Sequence, residues 1–437
     1  MTINGPKEAL TVLRGARLIV GDGKTVHERA DLVLAGERIH EIREHTSASD
    51  DEGPEGVEVV DCSGKTIMPA IVNPHGHIGY MRGTTSDAAF FSEENVLDHL
   101  RRLTYHGVST FRSLGTDRDG VELAVRDRQR AHPNADPELA TLLSAGSGLV
   151  APTPGAPNGG PFFAVNAVHE TSGAEDATRF VRHLAEKNVD IVKFWVDDRG
   201  GTKAKLGPEI QRAVVAEAHR HGIPAAAHIY TIDDAKSAVR AGADVLAHMP
   251  RSARPDSELL DQLLEHDVAV FTSMSIQGPT SSDWLNDPLV RDITPPAEVQ
   301  RLAAEIAERE PEPLFDTSET YSRLVDTFVL LREAGVRLVF SADTGLLAQL
   351  PGMAEHRELE ALVGAGLSPA EAIGLATAEA ARHLHLDDRG LLAAGKRADL
   401  LVLEANPLDD ITNTRRISSV HLAGHALDRE AMRRNWQ

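Results

Sequence analysis

The stretch "TIMPAIVNPHGH", Thr66 to His77, runs from an apolar segment directly into two histidines one residue apart. A short apolar run of this kind reads as a buried strand. Side chains two apart on a strand point to the same face. His75 and His77 can therefore share one metal ion, and the glycine between them allows close backbone approach. Neutral imidazole suits zinc and its first-row neighbours. Alone, the pair is a weak signal, because a histidine at a strand end is more often a hydrogen-bonded structural group.

Seven further runs of the same character follow: "VSTFRSLG", "LATLLSAG", "DIVKFWVDD", "IPAAAHIY", "ADVLAHMP", "VAVFTSM" and "VRLVFSADTG". Between them lie amphipathic segments closed by glycine, such as "GPEIQRAVVAEAHRHG" and "TIDDAKSAVRAGA". Eight strand–helix units predict an α/β fold, a parallel (β/α)8 TIM barrel. The long connection from Gln277 to about Asp316 is rich in Pro, Asp and Glu and is expected to cap the barrel mouth.

Barrel active sites sit at the C-terminal strand ends. The first run ends in His75 and His77, and the fourth passes through Lys193. The fifth ends at His228, the sixth at His248 and the eighth at Asp343. Asp343 alone reads equally as a helix N-cap. Together these residues aim nitrogen and oxygen donors from five strand ends at one mouth. Most of the other sixteen of the 20 histidines fall in helical or loop segments, and His383 and His385 read as surface groups near a helix end.

The two ends of the chain read as strands: "ALTVLRGARLIV" and "ADLVLAGERIHEI" early, "RADLLVLEANP" and "ISSVHLAGHALDR" late. Residues 1–66 and 386–437 are expected to pair into one small composite β-sandwich domain beside a barrel of residues 67–385. Residues 46–56 read as a polar loop.

Composition narrows the partners. The 437 residues are 41% hydrophobic and 25% charged, enough for a full core. A net charge of −21 argues against nucleic acid and anionic membrane surfaces. Homo-oligomerisation is left open. The single cysteine, Cys62, excludes an intrachain disulfide and reads as a small residue near a turn. No signal-peptide pattern and no long apolar run is present, so a cytoplasmic location is the expectation.

These residues carry a resemblance to the amidohydrolase superfamily, and within it to the imidazolonepropionase/prolidase-like branch of metal-dependent hydrolases. "VVDCSGKTIMPAIVNPHGH" is similar to that family's entry into its barrel. "SPAEAIGLATAEAARHL" followed by "GLLAAGKRADLLVLEANPL" is similar to its exit. The resemblance implies that His75, His77 and Asp343 bind the more buried metal, and that His228 and His248 bind a second. It implies that Lys193 bridges both after reacting with carbon dioxide to form a carbamate. Zinc, as one or two ions per chain, is the expected metal; an unmodified Lys193 would serve a one-metal site. The sequence departs from the family pattern at Ala70, where glycine is usual, and at Asn73–Pro74, where an aspartate is common.

The expected chemistry is hydrolysis by a metal-activated water, with Asp343 as general base and then acid. Tyr80, Arg82, Arg112, Tyr230 and Arg251 are candidate substrate contacts, able to hold a carboxylate, or else surface or structural charges. Arg254, the segment "DDRGG" and the Gly/Pro-rich "SGLVAPTPGAPNGGPFF", read as a loop, also stand near the mouth. They favour a dipeptide or N-acyl amino acid as the small-molecule substrate. Ring opening of an imidazolone, lactam or lactone is the alternative, as is hydrolysis of a xenobiotic carbamate, urea or phosphotriester. A non-catalytic scaffold is the remote one.

Overall fold

The computed structural model describes residues 10–46, 57–152, 166–277, 281–310, 316–346 and 348–437. Eight parallel strands answer the eight apolar runs. They are Ile71–Gly76, Val108–Ser113, Thr141–Ser144, Val192–Trp195, Ala225–His228, Val245–Ala247, Ala269–Phe271 and Leu338–Val339. Nearly all of their residues are buried, as expected of a parallel sheet covered on both faces.

The first strand pairs with the second and the second with the third. The fourth to eighth pair in succession. Two contacts link these groups. Asp190 N donates to Ser144 O at 3.0 Å, tying the third strand to the entry of the fourth. Gly76 bridges Thr344 in parallel, and His77 N donates to Thr344 O at 2.7 Å, tying the eighth strand to the first. The result is an α/β fold of the TIM-barrel type.

The intervening helices start and stop where their sequences dictate. Glu93–Tyr105 is capped by the Ser92 side chain. Ile232–Arg240 begins with a Thr231/Asp234 capping box. Gly222 and Gly242, both at positive φ, follow the ends of Pro208–Arg220 and Ile232–Arg240.

A second, mixed sheet draws on both ends of the described chain. Its order runs Arg38–Glu44, Val26–Ala35, Leu10–Ile19, Thr66–Pro69, Leu400–Leu403, Ile417–Leu422 and His425–Ala426, with Val57–Asp61 pairing to Leu10–Ile19. Leu18 and Leu32 share a buried cluster with Ile67, Leu400 and Val402. Cys62 lies in that cluster, its thiol pKa pushed up to about 11 by burial.

Two expectations need correction. Part of "SGLVAPTPGAPNGGPFF" is strand rather than loop: Gly148–Val150 pairs with Val168–Glu170 and with the fourth barrel strand, while residues 153–165 lie outside the described ones. His383 is not a surface group. It packs edge-on against Phe271, and its Nε2 lies 3.0 Å from Arg112 Nη2. Of the polar loop expected at 46–56, residues 47–56 lie outside the described ones.

The connection after the seventh strand carries helices Pro288–Arg291 and Pro296–Glu308. Leu285, Val290 and Leu302 cluster with Met81, Leu350 and Met353, which follow the first and eighth strands. Glu298 Oε2 also accepts from Thr84 N at 3.0 Å. Among the described residues, no helix is long and apolar enough to cross a membrane.

Candidate metal centre

Asp343 is the hub of the site. Its Oδ1 lies 3.2 Å from His75 Nε2 and 3.3 Å from His77 Nε2, and its Oδ2 lies 3.7 Å from His248 Nε2. The His75 and His248 rings stand 5.0 Å apart, and those of His228 and His248 4.9 Å apart. All four imidazoles are buried.

The backbone is bent to bring these groups together. Asp343 sits at φ 47° and His248 at φ 119°, conformations that cost a non-glycine residue on the order of 1–3 kcal/mol. The glycines explain the close approach expected from the sequence. A Cβ on Gly76 would fall 2.5 Å from the Phe111 ring and 2.8 Å from Thr344 O. A Cβ on Gly345 would overlap His77 O at 1.6 Å.

Three of the four rings have a partner beyond Asp343. His75 Nδ1 lies 3.1 Å from Ser341 Oγ, and His77 Nδ1 lies 3.0 Å from Thr116 Oγ1. His228 Nε2 lies 3.2 Å from Asp197 Oδ2, which also pairs with Arg199 at 3.2 Å. The Asp197 carboxyl is held well below the usual range: hydrogen bonding and the charge of its neighbours outweigh burial. A carboxylate can only accept, so the His228 proton sits on Nε2 and the Nδ1 lone pair is free for a ligand. Such outer partners orient metal-binding rings.

Electrostatics keep the rings neutral. Burial, first, pushes the pKa of all four histidines down, and Lys193 adds to the effect at each. Lys193 is itself 1% exposed. Burial, opposed by Asp343 and reinforced by Arg112, Arg199 and Arg251, lowers its pKa to about 7. Asp343 is held below the carboxylate range: the His77 hydrogen bond and the Lys193 charge act against burial.

These features meet the test for a metal. His75 Nε2, His248 Nδ1 and Asp343 Oδ1 are buried and have no hydrogen-bond partner. If His75 carries its proton on Nδ1, toward Ser341, then its Nε2 lone pair faces the Asp343 carboxylate across 3.2 Å. A cation is what both lack. His75, His248 and Asp343 can each offer one ligand atom with all three within 4.8 Å of one another.

Residues 66–427 match the sequence pattern of the amidohydrolase family. The chain belongs to that family. It is therefore a hydrolase acting on carbon–nitrogen bonds. The amidohydrolase is similar to ochratoxinase of Aspergillus niger, 24% identical over 383 residues, which cover 79% of this chain and 71% of the relative. A candidate prolidase from Bifidobacterium longum superposes with TM-score 0.72 and 26% identity, covering 98% of this chain and 99% of that one. A Xaa-Pro dipeptidase crystallised with methionine in its active site superposes with TM-score 0.73 and 22% identity, covering 96% and 99%.

The candidate substrate contacts of this amidohydrolase divide. Tyr80 is buried, packs on Phe91, and donates from its hydroxyl to Thr116 O at 2.7 Å. Arg112 donates to Pro74 O at 3.0 Å and contacts His383. Both commit their polar groups to the protein. Arg82 is exposed and lies over the Phe90 ring. Tyr230 and Arg251 are joined by a backbone bond, Arg251 N to Tyr230 O, at 2.9 Å. Burial lowers the Arg251 pKa to about 10, against the pull of Asp343 and Asp197. With the Gln277 amide oxygen turned toward it, Arg251 donates from Nη1 and Nε at 2.6 and 3.0 Å.

Thr116 and Ser341 were not singled out from the sequence as site residues, and Asp197 entered only within the segment "DDRGG". Asp197 carried one usable signal: an acid directly after a buried strand, at the barrel end where the ligands gather. The hydroxyls carried none.

Proposed function

We propose that this amidohydrolase hydrolyses an amide-type C–N bond of a small molecule, of the dipeptide or N-acyl amino acid type. The observation that carries the reading is the convergence of His75, His248 and Asp343, whose ligand atoms lie within 4.8 Å of one another. His75, His77 and Asp343 would hold one divalent ion, with zinc the expected metal, and His228 and His248 a second. Lys193, as a carbamate, would bridge them. Two dications among four neutral rings and one carboxylate leave charge uncompensated; a carbamate adds an anion and removes an ammonium. When bound, the ions lower the pKa of the attacking water and polarise the scissile carbonyl.

Asp343 takes the proton as water oxygen bonds to the carbonyl carbon. It then delivers that proton to the leaving nitrogen as the C–N bond breaks, giving an acid and an amine. Arg251 and Tyr230 are the substrate contacts this reading favours, because Arg251 brings a guanidinium to the cluster and the two share a backbone link. Such a guanidinium fits a substrate carboxylate. The similarity to a Xaa-Pro dipeptidase supports the dipeptide class. The mixed sheet supports treating residues 1–66 and 386–437 as one composite β-sandwich domain bracing the barrel of 67–385.

The test is a panel of dipeptides, N-acyl amino acids, lactams, ureas and phosphotriesters on the metal-loaded chain. We expect turnover in the first two classes. Turnover confined to the cyclic or phosphotriester members would overturn the substrate reading. On any substrate found, Asp343→Asn should lower kcat at least about 100-fold; full turnover would remove Asp343 from the base role.

A further inference from the structure

Asn73 occupies the position where an aspartate is expected, two residues before His75 and fully buried. Its amide joins three backbone segments. Asn73 Oδ1 accepts from His75 N at 3.1 Å. Asn73 Nδ2 donates to Glu355 Oε1 at 2.7 Å and to Thr344 Oγ1 at 3.2 Å. Glu355 Oε1 also accepts from Thr344 Oγ1 at 2.6 Å, and Glu355 Oε2 from Gly352 N at 2.9 Å. Asn73, Thr344 and Glu355 are each 0% exposed.

Glu355 lies on Met353–Gly364, the helix after the eighth strand. Its three partners all present a hydrogen to it, which suits a carboxylate. Two of them, Asn73 and Thr344, adjoin the segments carrying His75 and Asp343. That connection holds Asp343 at positive φ, against the local preference of a non-glycine residue. An aspartate at position 73 would turn a carboxylate toward Glu355 with no hydrogen between them.

We propose that Asn73 and Glu355 form a positioning clasp that sets Asp343 against His75 for metal binding, and that the Glu355 carboxylate is what requires an amide at position 73. The proposal rests on the metal-centre reading above. Neither residue acts as a ligand or a proton carrier in that reading; both act through the two they hold.

The test titrates cobalt(II) into the metal-free full chain and follows the visible absorption bands of the bound ion. Wild type, Asn73→Asp, Glu355→Gln and the double variant are compared. Each single change should weaken cobalt binding about 10–100-fold and shift the bands, as loss of an outer partner does. The double variant restores one amide and one carboxylate in exchanged places. It should recover to within about threefold of wild type, the non-additivity of a coupled pair. Wild-type affinity in both singles would overturn the clasp, as would losses that simply multiply in the double. A wild-type chain that takes up no cobalt would overturn the metal-centre reading as well. If a single variant does not fold, Thr344→Val carries the test. It removes one donor to Glu355, and unchanged cobalt affinity would overturn the proposal.

Discussion

Two groups of buried histidines sit in one barrel and do opposite work. His99 and His356 have both ring nitrogens engaged. His99 Nδ1 accepts from Gly79 N at 3.1 Å and its Nε2 faces Met81 O at 2.8 Å. His356 contacts Thr414 Oγ1 and His106 O, each at 2.9 Å. His106 Nδ1 in turn faces Arg102 O at 2.7 Å. At the mouth, by contrast, His75 and His248 each keep a buried nitrogen with no hydrogen-bond partner. Burial lowers the pKa of both groups, so a shifted pKa does not separate structure from function here. Convergence does: ligand atoms of His75, His248 and Asp343 come within 4.8 Å of one another.

The contrast can be broken by exchanging the two kinds of position. His248→Ala should remove at least about 100-fold of kcat/KM while costing less denaturant stability than His356→Ala, because it leaves a cavity but fewer unpaired partners. His356→Ala should do the reverse: a loss of about 2–4 kcal/mol in urea unfolding, from two unpaired partners and a cavity, with cobalt affinity intact. Equal stability losses in the two variants would erase the distinction.

Acid sharpens it further. The pKa values of His99, His106 and His356 fall from 6.5 to about 4, 3 and 3. The unfolded chain takes up these protons below pH 6.5, while the folded chain refuses them down to about 4. Stability is therefore complete above 6.5 and is lost as the pH falls toward 4. The slope is about 1.4 kcal/mol per pH unit for each histidine. Urea midpoints of the metal-free chain at pH 7, 6 and 5 measure it, and a flat profile would contradict the assignment. The smallest effect is at the mouth. Arg251→Met should raise KM about tenfold for a carboxylate-bearing substrate and move kcat little. An unchanged KM would remove Arg251 as an anchor.

The barrel was legible because its signal is covalent and local. Eight apolar runs separated by helical segments leave little else to build, and each is a strand. The cluster at the mouth was legible because His75, His77, His248 and Asp343 follow the ends of those runs. Substrate contacts were harder, since a side chain near a strand end can turn either way. Tyr80 and Arg112 turned to Thr116 O and Pro74 O, partners that no spacing rule reveals. His383 was misjudged because its cover, Phe271 and Arg112, comes from distant segments. Glu355 was invisible for the same reason: its 282-residue separation from Asn73 is closed only when the eighth strand meets the first.

The central claim is that the unpaired donors at the mouth exist for metal. Elemental analysis of the chain, purified without added metal or chelator, tests it most directly. The account expects two first-row dications per chain, held by the histidines, Asp343 and a carbamylated Lys193. A folded chain that carries none, and takes up none when reconstituted with zinc in bicarbonate, would contradict it.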